Sequence, residues 1–128
     1  MDLLLDTHIF LWWDSSDRQL GAQAEALIGA VANRIFVSAA SVWEIAIKAQ
    51  SGRLVFAGSP SEAVTRNGFL PLPILGEHTE AAAKLPLIHK DPFDRILVAQ
   101  ALARGLVLVT ADRLIMKYDL PQLSARGA

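Results

Sequence analysis

The sequence predicts an α/β protein, a three-layer sandwich in which helices flank a central, mostly parallel sheet. Short apolar runs, typical of buried parallel strands, alternate along the chain with longer stretches of helical composition. Two of these runs, at residues 2–5 and 106–109, are each followed within three residues by an Asp. Because 128 residues fit one domain of ordinary size, we expect residues 1–128 to form a single domain.

The N-terminal half is predicted to contain two strands and three helices. In chain order, these elements cover residues 2–5, 7–13, 18–32, 35–37 and 39–51. The first and fourth segments are short apolar runs, whereas the third is rich in Ala, which favours a helix. Ser38 is well placed to begin the last of these helices, and Gly52 to end it.

The C-terminal half is predicted to add further helices and strands. In chain order, we expect a helical turn at 61–67, an extended segment at 69–74, helices at 77–85 and 91–104, a strand at 106–109, a short helix from Asp112 or Arg113, and a strand near 120–123. Pro71 and Pro73 restrict the extended segment to an edge strand or to irregular chain. The pair Asp91-Pro92 is typical of a helix start, and Gly105 of a helix end.

The composition excludes several classes of protein. Hydrophobic residues make up 52% of the chain, which rules out disorder and leaves apolar surface for contact with another chain. The absence of cysteine excludes disulfides, thiolate metal sites and cysteine nucleophiles. No apolar run approaches the ~18 residues of a membrane span, and acids stand where a secretory signal has Lys or Arg, so we expect a cytoplasmic protein. The net charge of −1 does not indicate a strongly basic nucleic-acid binder.

Acidic residues follow two of the predicted strands. Asp6 comes directly after the first strand, and Asp112 comes shortly after the strand at 106–109. Ligands of open parallel sheets bind beyond the carboxyl ends of the strands, so both carboxylates are expected at the same edge of the sheet. Each Asp alone is equally well explained as a helix N-cap, although Thr7 or Thr110 is also able to supply the cap.

Two further acids lie within predicted helices. Asp94 projects onto the apolar face of its helix, where a carboxylate is costly unless a cation or free backbone amides meet it. Glu44 projects onto the polar side of its own helix, where a capping box with Ser41 or an i,i+4 pair with Lys48 explains it. Ser38 is the better N-cap, which puts Glu44 in mid-helix and favours a site role.

Together, four carboxylates in a chain without thiols suit a hard divalent cation, Mg²⁺ or Mn²⁺. A cation held in this way binds a phosphodiester oxygen, lowers the pKa of a water nucleophile and stabilises the leaving oxygen. Crowded like charges also raise at least one carboxyl pKa in the empty site.

Four sequence blocks resemble those of a known family. LLLDTH near the start, SVWEIAIK in the middle, HKDPFDRILVAQA, and LVLVTAD near the end are similar to blocks of PIN domains. The resemblance is closest to the VapC-type ribonuclease toxins of prokaryotic type II toxin–antitoxin pairs. The blocks stand in the family's order and cover essentially the whole chain, and their combination is far more specific than a lone DTH or TAD.

The resemblance has implications for fold, site and partners. It implies a PIN-like, Rossmann-like fold and a metal site made of Asp6, Glu44, Asp94 and Asp112, with Thr110 supporting Asp112. It implies Mg²⁺- or Mn²⁺-dependent hydrolysis of RNA with water as the nucleophile. It also implies a homodimer and a cognate antitoxin protein that blocks the site.

Basic residues near the acidic blocks are candidates for substrate binding. Arg95, Arg113 and Lys48 are the candidates for contacts with RNA phosphates, and the alternative for each is a solvated surface charge. Without the four site acids, nine Asp and Glu stand against twelve Lys and Arg, a balance of +3 that suits a polyanion. The three histidines, at positions 8, 78 and 89, fit packing better than catalysis.

Two other functions are compatible with the sequence. In a non-catalytic interaction module, the acids are only helix caps and surface charges. In an Asp-dependent phosphotransfer enzyme of the haloacid-dehalogenase type, a second Asp is expected at position 8, where this chain has His8. The nuclease hypothesis requires the carboxylates to converge in the fold, and the other two functions do not.

Overall fold

In the computed structural model, which describes residues 1–126, one all-parallel sheet forms the centre of the molecule. Its five strands are β1 (Asp2–Leu5), β2 (Arg34–Ser38), β3 (Leu70–Leu72), β4 (Val107–Thr110) and β5 (Gln122–Ser124). They are arranged in the order β3-β2-β1-β4-β5. Since every pairing is parallel, all the carboxyl ends meet at one edge. The strand order reverses between β1 and β4, where ligands of such sheets bind.

Six α-helices connect the strands, and most begin and end at residues whose local chemistry explains the boundary. They are α1 (Thr7–Asp14), α2 (Ala22–Gly29), α3 (Ala39–Gln50), α4 (Pro60–Arg66), α5 (Gly76–Lys84) and α6 (Pro92–Arg104), and a 3₁₀ turn covers Ile115–Lys117. Ser38 caps α3, and Asp91 caps α6 by accepting the amides of Phe93 and Asp94. Gly105 ends α6 in the left-handed conformation, with φ of 64°.

The apolar side chains of the strands divide between two cores, one on each face of the sheet. Leu3 and Leu5 point into one core, and Leu4, between them, points into the other. Phe10 of α1 and Ile45 of α3 cover the first face. The second face is covered by α6, mainly through side chains such as Leu97 and Val98. The predicted three-layer sandwich is therefore confirmed, and the sheet is parallel throughout.

The prediction was wrong mainly in the length of the second helix. The structure has α2 at Ala22–Gly29, whereas a helix was expected over 18–32. Asp17 holds a turn before α2, because its carboxylate accepts the Gln19 amide at 2.8 Å. Gly21 then forms the N-cap, and the chain becomes extended at Ala30. The short helix expected near Asp112 is a single 3₁₀ turn. Within the described residues, no helix is long and apolar enough to span a membrane.

Candidate metal centre

Asp6 lies at the carboxyl end of β1, beside the point where the strand order reverses. Only 3% of the residue is exposed. One carboxylate oxygen, Oδ1, accepts the His8 amide at 2.8 Å, and the other, Oδ2, accepts the Thr110 hydroxyl of β4 at 2.6 Å. Burial raises the pKa of Asp6, and these two hydrogen bonds oppose the increase only in part. Asp6 is thus both the N-cap of α1 and a buried acid at the sheet edge.

Asp94 belongs to an acidic cluster that also contains Asp6, Glu44, Asp91 and Asp112. Its position in the first turn of α6 leaves 16% of the side chain exposed. Burial, followed by the negative charges of Asp6, Asp91, Glu44 and Asp112, raises the pKa of Asp94 to about 8. All four predicted site acids therefore lie close enough to interact through their charges. Asp91 belongs to the same acidic environment because it caps the helix on which Asp94 stands.

Asp112 follows β4 and is oriented from two sides. Its Oδ1 accepts the amides of Leu114 and Ile115 at 2.8 and 3.0 Å, and its Oδ2 lies 3.1 Å from Nε2 of His89. Its own amide donates to the Thr110 hydroxyl at 3.0 Å. Burial raises the pKa of Asp112, but the two amides and His89 outweigh this effect and hold it below the usual value. Thr110 therefore connects both strand-end acids.

His89 is the residue of this centre that the sequence did not reveal. Its Nε2 lies 3.0 Å from Oδ2 of Asp94 and 3.1 Å from Oδ2 of Asp112. The Asp91 amide, which only donates, points at Nδ1 of His89 at 3.2 Å. Nδ1 therefore accepts, so we assign the ring proton to Nε2, which donates towards the two carboxylates. The sequence favoured packing over catalysis for His89, and the structure places its ring beside two of the predicted site acids. Its position two residues before the α6 cap was the available signal.

Glu44 lies in the middle of α3 and faces the acidic cluster. Only 4% of the residue is exposed, so the polar side of α3 is not a solvated surface at this point. Its Oε2 accepts from Nζ of Lys48 at 2.7 Å, as the i,i+4 interpretation predicted. The capping box with Ser41 is not formed, because Ser38 caps the helix. The other oxygen, Oε1, is buried without a hydrogen-bond partner.

The cluster has the donor set of a divalent-cation site. In the part of the chain that the structure describes, His89, Asp94 and Asp112 form the one group with ligand atoms all within 4.8 Å of one another. Because Nε2 of His89 carries the ring proton, the ligands that this group offers are its carboxylate oxygens. Asp6 and Glu44 lie outside that group, although their charges reach Asp94. The unpartnered oxygen of Glu44 and the raised pKa of Asp94 are both expected of carboxylates that bind a cation. These residues therefore fit a metal ion with oxygen ligands.

The three predicted phosphate ligands have different surroundings. The Arg95 guanidinium donates to the carbonyls of Ala82, Leu85, Pro86 and His89 at 2.7 to 3.1 Å. Arg95 thus holds the loop that carries His89, and we correct its assignment from substrate binding to support of this loop. Lys48 is paired with Glu44. Arg113 is exposed and, among residues 1–126, forms no salt bridge, so it stays a candidate.

The fold and site together define a class: an α/β protein with an all-parallel sheet and an acidic cluster at its carboxyl edge whose residues fit a metal ion. The family model of the PIN domain matches residues 3–119. The chain belongs to the PIN-domain family.

Individual relatives agree with this assignment. The chain is 30% identical over 128 residues to Ribonuclease VapC22 of Mycobacterium tuberculosis, and the match covers 94% of each chain. This relative confirms the resemblance to VapC proteins that the four sequence blocks indicated.

Solved structures share the fold at low identity. A chain of VapBC2 from Rickettsia felis, solved with a promoter DNA fragment, is similar with a TM-score of 0.65 and 15% identity, over 96% of this chain and 98% of that one. A chain of a toxin–antitoxin complex from Klebsiella pneumoniae is similar with a TM-score of 0.68 and 19% identity, over 98% and 99% of the two chains. These likenesses establish the PIN-like architecture.

Proposed function

We propose that this protein is a metal-dependent endoribonuclease that acts as the toxin of a toxin–antitoxin pair. The observation that carries the proposal is the convergence of Asp6, Glu44 and Asp112 on Asp94, whose pKa is raised to about 8 by burial first and then by these neighbouring charges. Membership of the PIN-domain family and the similarity to a protein named Ribonuclease VapC22 support the same activity. RNA is the proposed substrate on the basis of that relative.

Asp6, Glu44, Asp94 and Asp112 would hold the cation, which we propose to be Mg²⁺ or Mn²⁺. Carboxylate oxygens are the ligands these hard cations prefer, and Glu44 has a buried oxygen with no other partner. When bound, the cation would lower the pKa of the water nucleophile and stabilise negative charge on the phosphodiester oxygens. We propose that all four acids are catalytic residues.

The surrounding residues orient these carboxylates before any ligand arrives. Thr110 holds one oxygen of Asp6, and the amides of Leu114 and Ile115 hold one oxygen of Asp112. The Nε2 proton of His89 draws the Oδ2 atoms of Asp94 and Asp112 towards one point. Hydrogen bonds of this kind typically change metal affinity by about 10- to 100-fold. We therefore assign Thr110 and His89 to positioning.

An antitoxin protein and a second copy of the chain are proposed partners. Structural neighbours of this chain include a VapBC2 structure and a toxin–antitoxin complex, which supports a cognate antitoxin. Large apolar side chains remain exposed, including Trp43 at 62% and Leu87 at 77%. Apolar side chains on this scale favour contact with another chain. The homodimer and the cytoplasmic location stay predictions from the sequence.

The two competing functions explain less of the site. A non-catalytic module has no use for a carboxylate such as Asp94, which is buried among like charges and, within residues 1–126, has no Lys or Arg within salt-bridge distance. A phosphotransfer enzyme of the haloacid-dehalogenase type needs an acid at position 8, where the exposed His8 stands. The nuclease proposal accounts for both observations.

Cleavage of RNA in the presence and absence of metal tests the proposal. The purified chain is expected to cut single-stranded RNA with Mn²⁺, to lose activity in EDTA, and to regain it when Mn²⁺ is restored. Asp94→Asn is expected to abolish cleavage with an unchanged circular dichroism spectrum, because it removes charge and almost no volume. Asp119→Asn, at an exposed carboxylate outside the cluster, is the matched control and should leave activity intact. Full activity in excess EDTA would contradict the metal-dependent mechanism.

A further inference from the structure

The last described residue, Arg126, reaches the wall of the acidic centre. A cavity of about 190 Å³ opens beside the ends of β1 and β4. It is lined by Asp6, His8, Trp12, Ala111, Asp112 and Arg126. Two of the proposed metal ligands and one arginine therefore share a single cavity, although Arg126 lies 14 positions after Asp112 in the sequence.

The backbone before Arg126 is tightly fixed. Ala125 is fully buried, its amide donates to the Thr110 carbonyl at 2.8 Å, and its carbonyl accepts the Gly21 amide at 2.7 Å. A Cβ added to Gly21 would lie only 2.9 Å from the carbonyl carbon of Arg126, so a glycine is required for this approach. The position of Arg126 is thus determined by the same strand end that carries Thr110.

The guanidinium of Arg126 is placed by two side chains. It lies over the ring of Trp12, 5.3 Å from the centroid, in a cation–π arrangement. Its Nη2 lies 3.4 Å from Oε1 of Gln19. Within residues 1–126, no carboxylate lies within salt-bridge distance of it, so most of its donors and its charge are available to a ligand.

A cation on one wall and carboxylates on the other suit a phosphodiester strand. The carboxylates would hold the metal ion at the phosphate that is cleaved, whereas they repel the phosphates on either side. An arginine beside them offsets that repulsion and offers the planar, multi-donor geometry that phosphate oxygens accept. Stacking on Trp12 reduces the side-chain freedom that is lost on binding.

We propose that Arg126, held by Trp12 and by the close contact at Gly21, binds a backbone phosphate of the RNA substrate at the edge of the acidic centre. The inference rests on the proposed nuclease function, because it takes RNA as the ligand. Arg126 acts here as a substrate-positioning residue. It holds the strand so that the neighbouring phosphate meets the carboxylates.

Binding of RNA, measured without cleavage, tests the proposal. A fluorescent single-stranded RNA is titrated with the wild-type protein in EDTA at several salt concentrations, and anisotropy gives the Kd. Arg126→Gln is expected to weaken binding by about tenfold. It is also expected to reduce the slope of log K against log salt by roughly 0.7, the loss of one phosphate contact. A merely structural role does not change this slope.

Matched variants separate a specific contact from a general loss of charge. Arg104→Gln removes the same charge at the end of α6, on the opposite side of the sheet, and should change neither the Kd nor the slope. Arg126→Lys keeps the charge but loses the planar donors, so an intermediate Kd is expected. Equal losses in Arg126→Gln and Arg104→Gln, or no loss in Arg126→Gln, would overturn the proposal. All variants should unfold at the wild-type temperature.

Cleavage kinetics keep this proposal distinct from the nuclease function. With Mn²⁺, Arg126→Gln is expected to raise KM about tenfold with little change in kcat, because it weakens binding equally before and during the reaction. RNA that is bound through Arg126 but never cut would refute the nuclease function and leave the contact standing. Conversely, normal KM and normal RNA affinity in Arg126→Gln, with active enzyme, would refute the contact alone.

Discussion

The two ends of β1 each carry an aspartate, and the two carboxyl groups have opposite surroundings. Asp2, at the amino end, accepts a hydrogen bond from Nε of Arg34 at 2.9 Å and is partly exposed. This hydrogen bond lowers the pKa of Asp2. Asp6, at the carboxyl end, is buried without Lys or Arg within salt-bridge distance in the described chain, and burial raises its pKa. Three residues therefore separate an acid that is paired with an arginine from one that is not.

The difference supports the proposal that the acid at the amino edge of the sheet contributes to stability and that the acids at the carboxyl edge contribute to chemistry. At the amino edge, a cation on the neighbouring strand β2 neutralises the acid. At the carboxyl edge, several acids lie close enough for their charges to raise the pKa of buried Asp94, and among them only Glu44 has a Lys or Arg within salt-bridge distance in the described chain. Such an arrangement destabilises the ion-free fold and is retained where it has a use. The acidic centre is thus the part of the molecule where folding and function compete.

The same substitution at both ends of β1 gives the largest expected contrast. Asp6→Asn should reduce RNA cleavage by about a hundredfold or more, the scale on which single charge-stabilising groups act. Asp2→Asn should leave cleavage unchanged, because Asp2 lies at the opposite edge of the sheet from the acidic centre. Initial rates with Mn²⁺ and a fluorescent RNA measure both. Similar activity in the two variants would contradict the assignment of Asp6 to the site.

Most of the fold follows from local signals in the sequence. The helix α6 begins and ends where Asp91-Pro92 and Gly105 predict, because capping and left-handed glycine depend on neighbouring residues only. The expected length of α2 was wrong because its Ala-rich composition indicates helix propensity but does not determine where the helix begins and ends. The Asp17 turn and Gly21, which is packed against Arg126, determine where the chain bends.

The site was predictable where strand topology determines it and unpredictable where a loop does. Asp6 and Asp112 follow adjacent parallel strands, so their proximity follows from the α/β pattern. Glu44 was ambiguous because the pattern identifies the polar side of α3 but not what that side faces. His89 depends on a loop that Arg95 and Tyr118 hold through long-range hydrogen bonds. A pattern of apolar residues contains no information about these contacts.

The burial of the Asp94 carboxyl among like charges predicts a pH-dependent stability that the Asn variant lacks. The pKa of Asp94 is about 8 in the folded chain, against an ordinary value of 3.8. Because the folded state binds this proton more tightly, its stabilising effect is complete below about pH 4 and is lost as the pH rises through 8. Without metal, Asp94→Asn should therefore be more stable than wild type by up to a few kcal/mol above pH 8.

Thermal unfolding in EDTA between pH 4 and pH 9 measures this effect. The difference in Tm between Asp94→Asn and wild type should be several degrees at pH 9 and should vanish near pH 4. Addition of Mn²⁺ should stabilise the wild type and not the variant, since binding to the folded state alone raises Tm. A variant less stable than wild type at pH 9 in EDTA would contradict the repulsion inferred at the acidic centre.

The smallest expected effect is at Asp2, and it has the opposite sign. Since the Arg34 hydrogen bond lowers the pKa of Asp2, the stabilisation is present above the ordinary pKa of 3.8 and is lost as the pH falls through the folded value. The pair is exposed, so Asp2→Asn should lower Tm only slightly at pH 7, and not at all in high salt. A series of Tm values against pH and salt concentration measures this effect. Opposite pH slopes for Asp2→Asn and Asp94→Asn would show that the acid at the amino edge stabilises the fold, whereas the buried acid at the carboxyl edge destabilises it when ionised. A stabilising Asp2→Asn would remove that contrast.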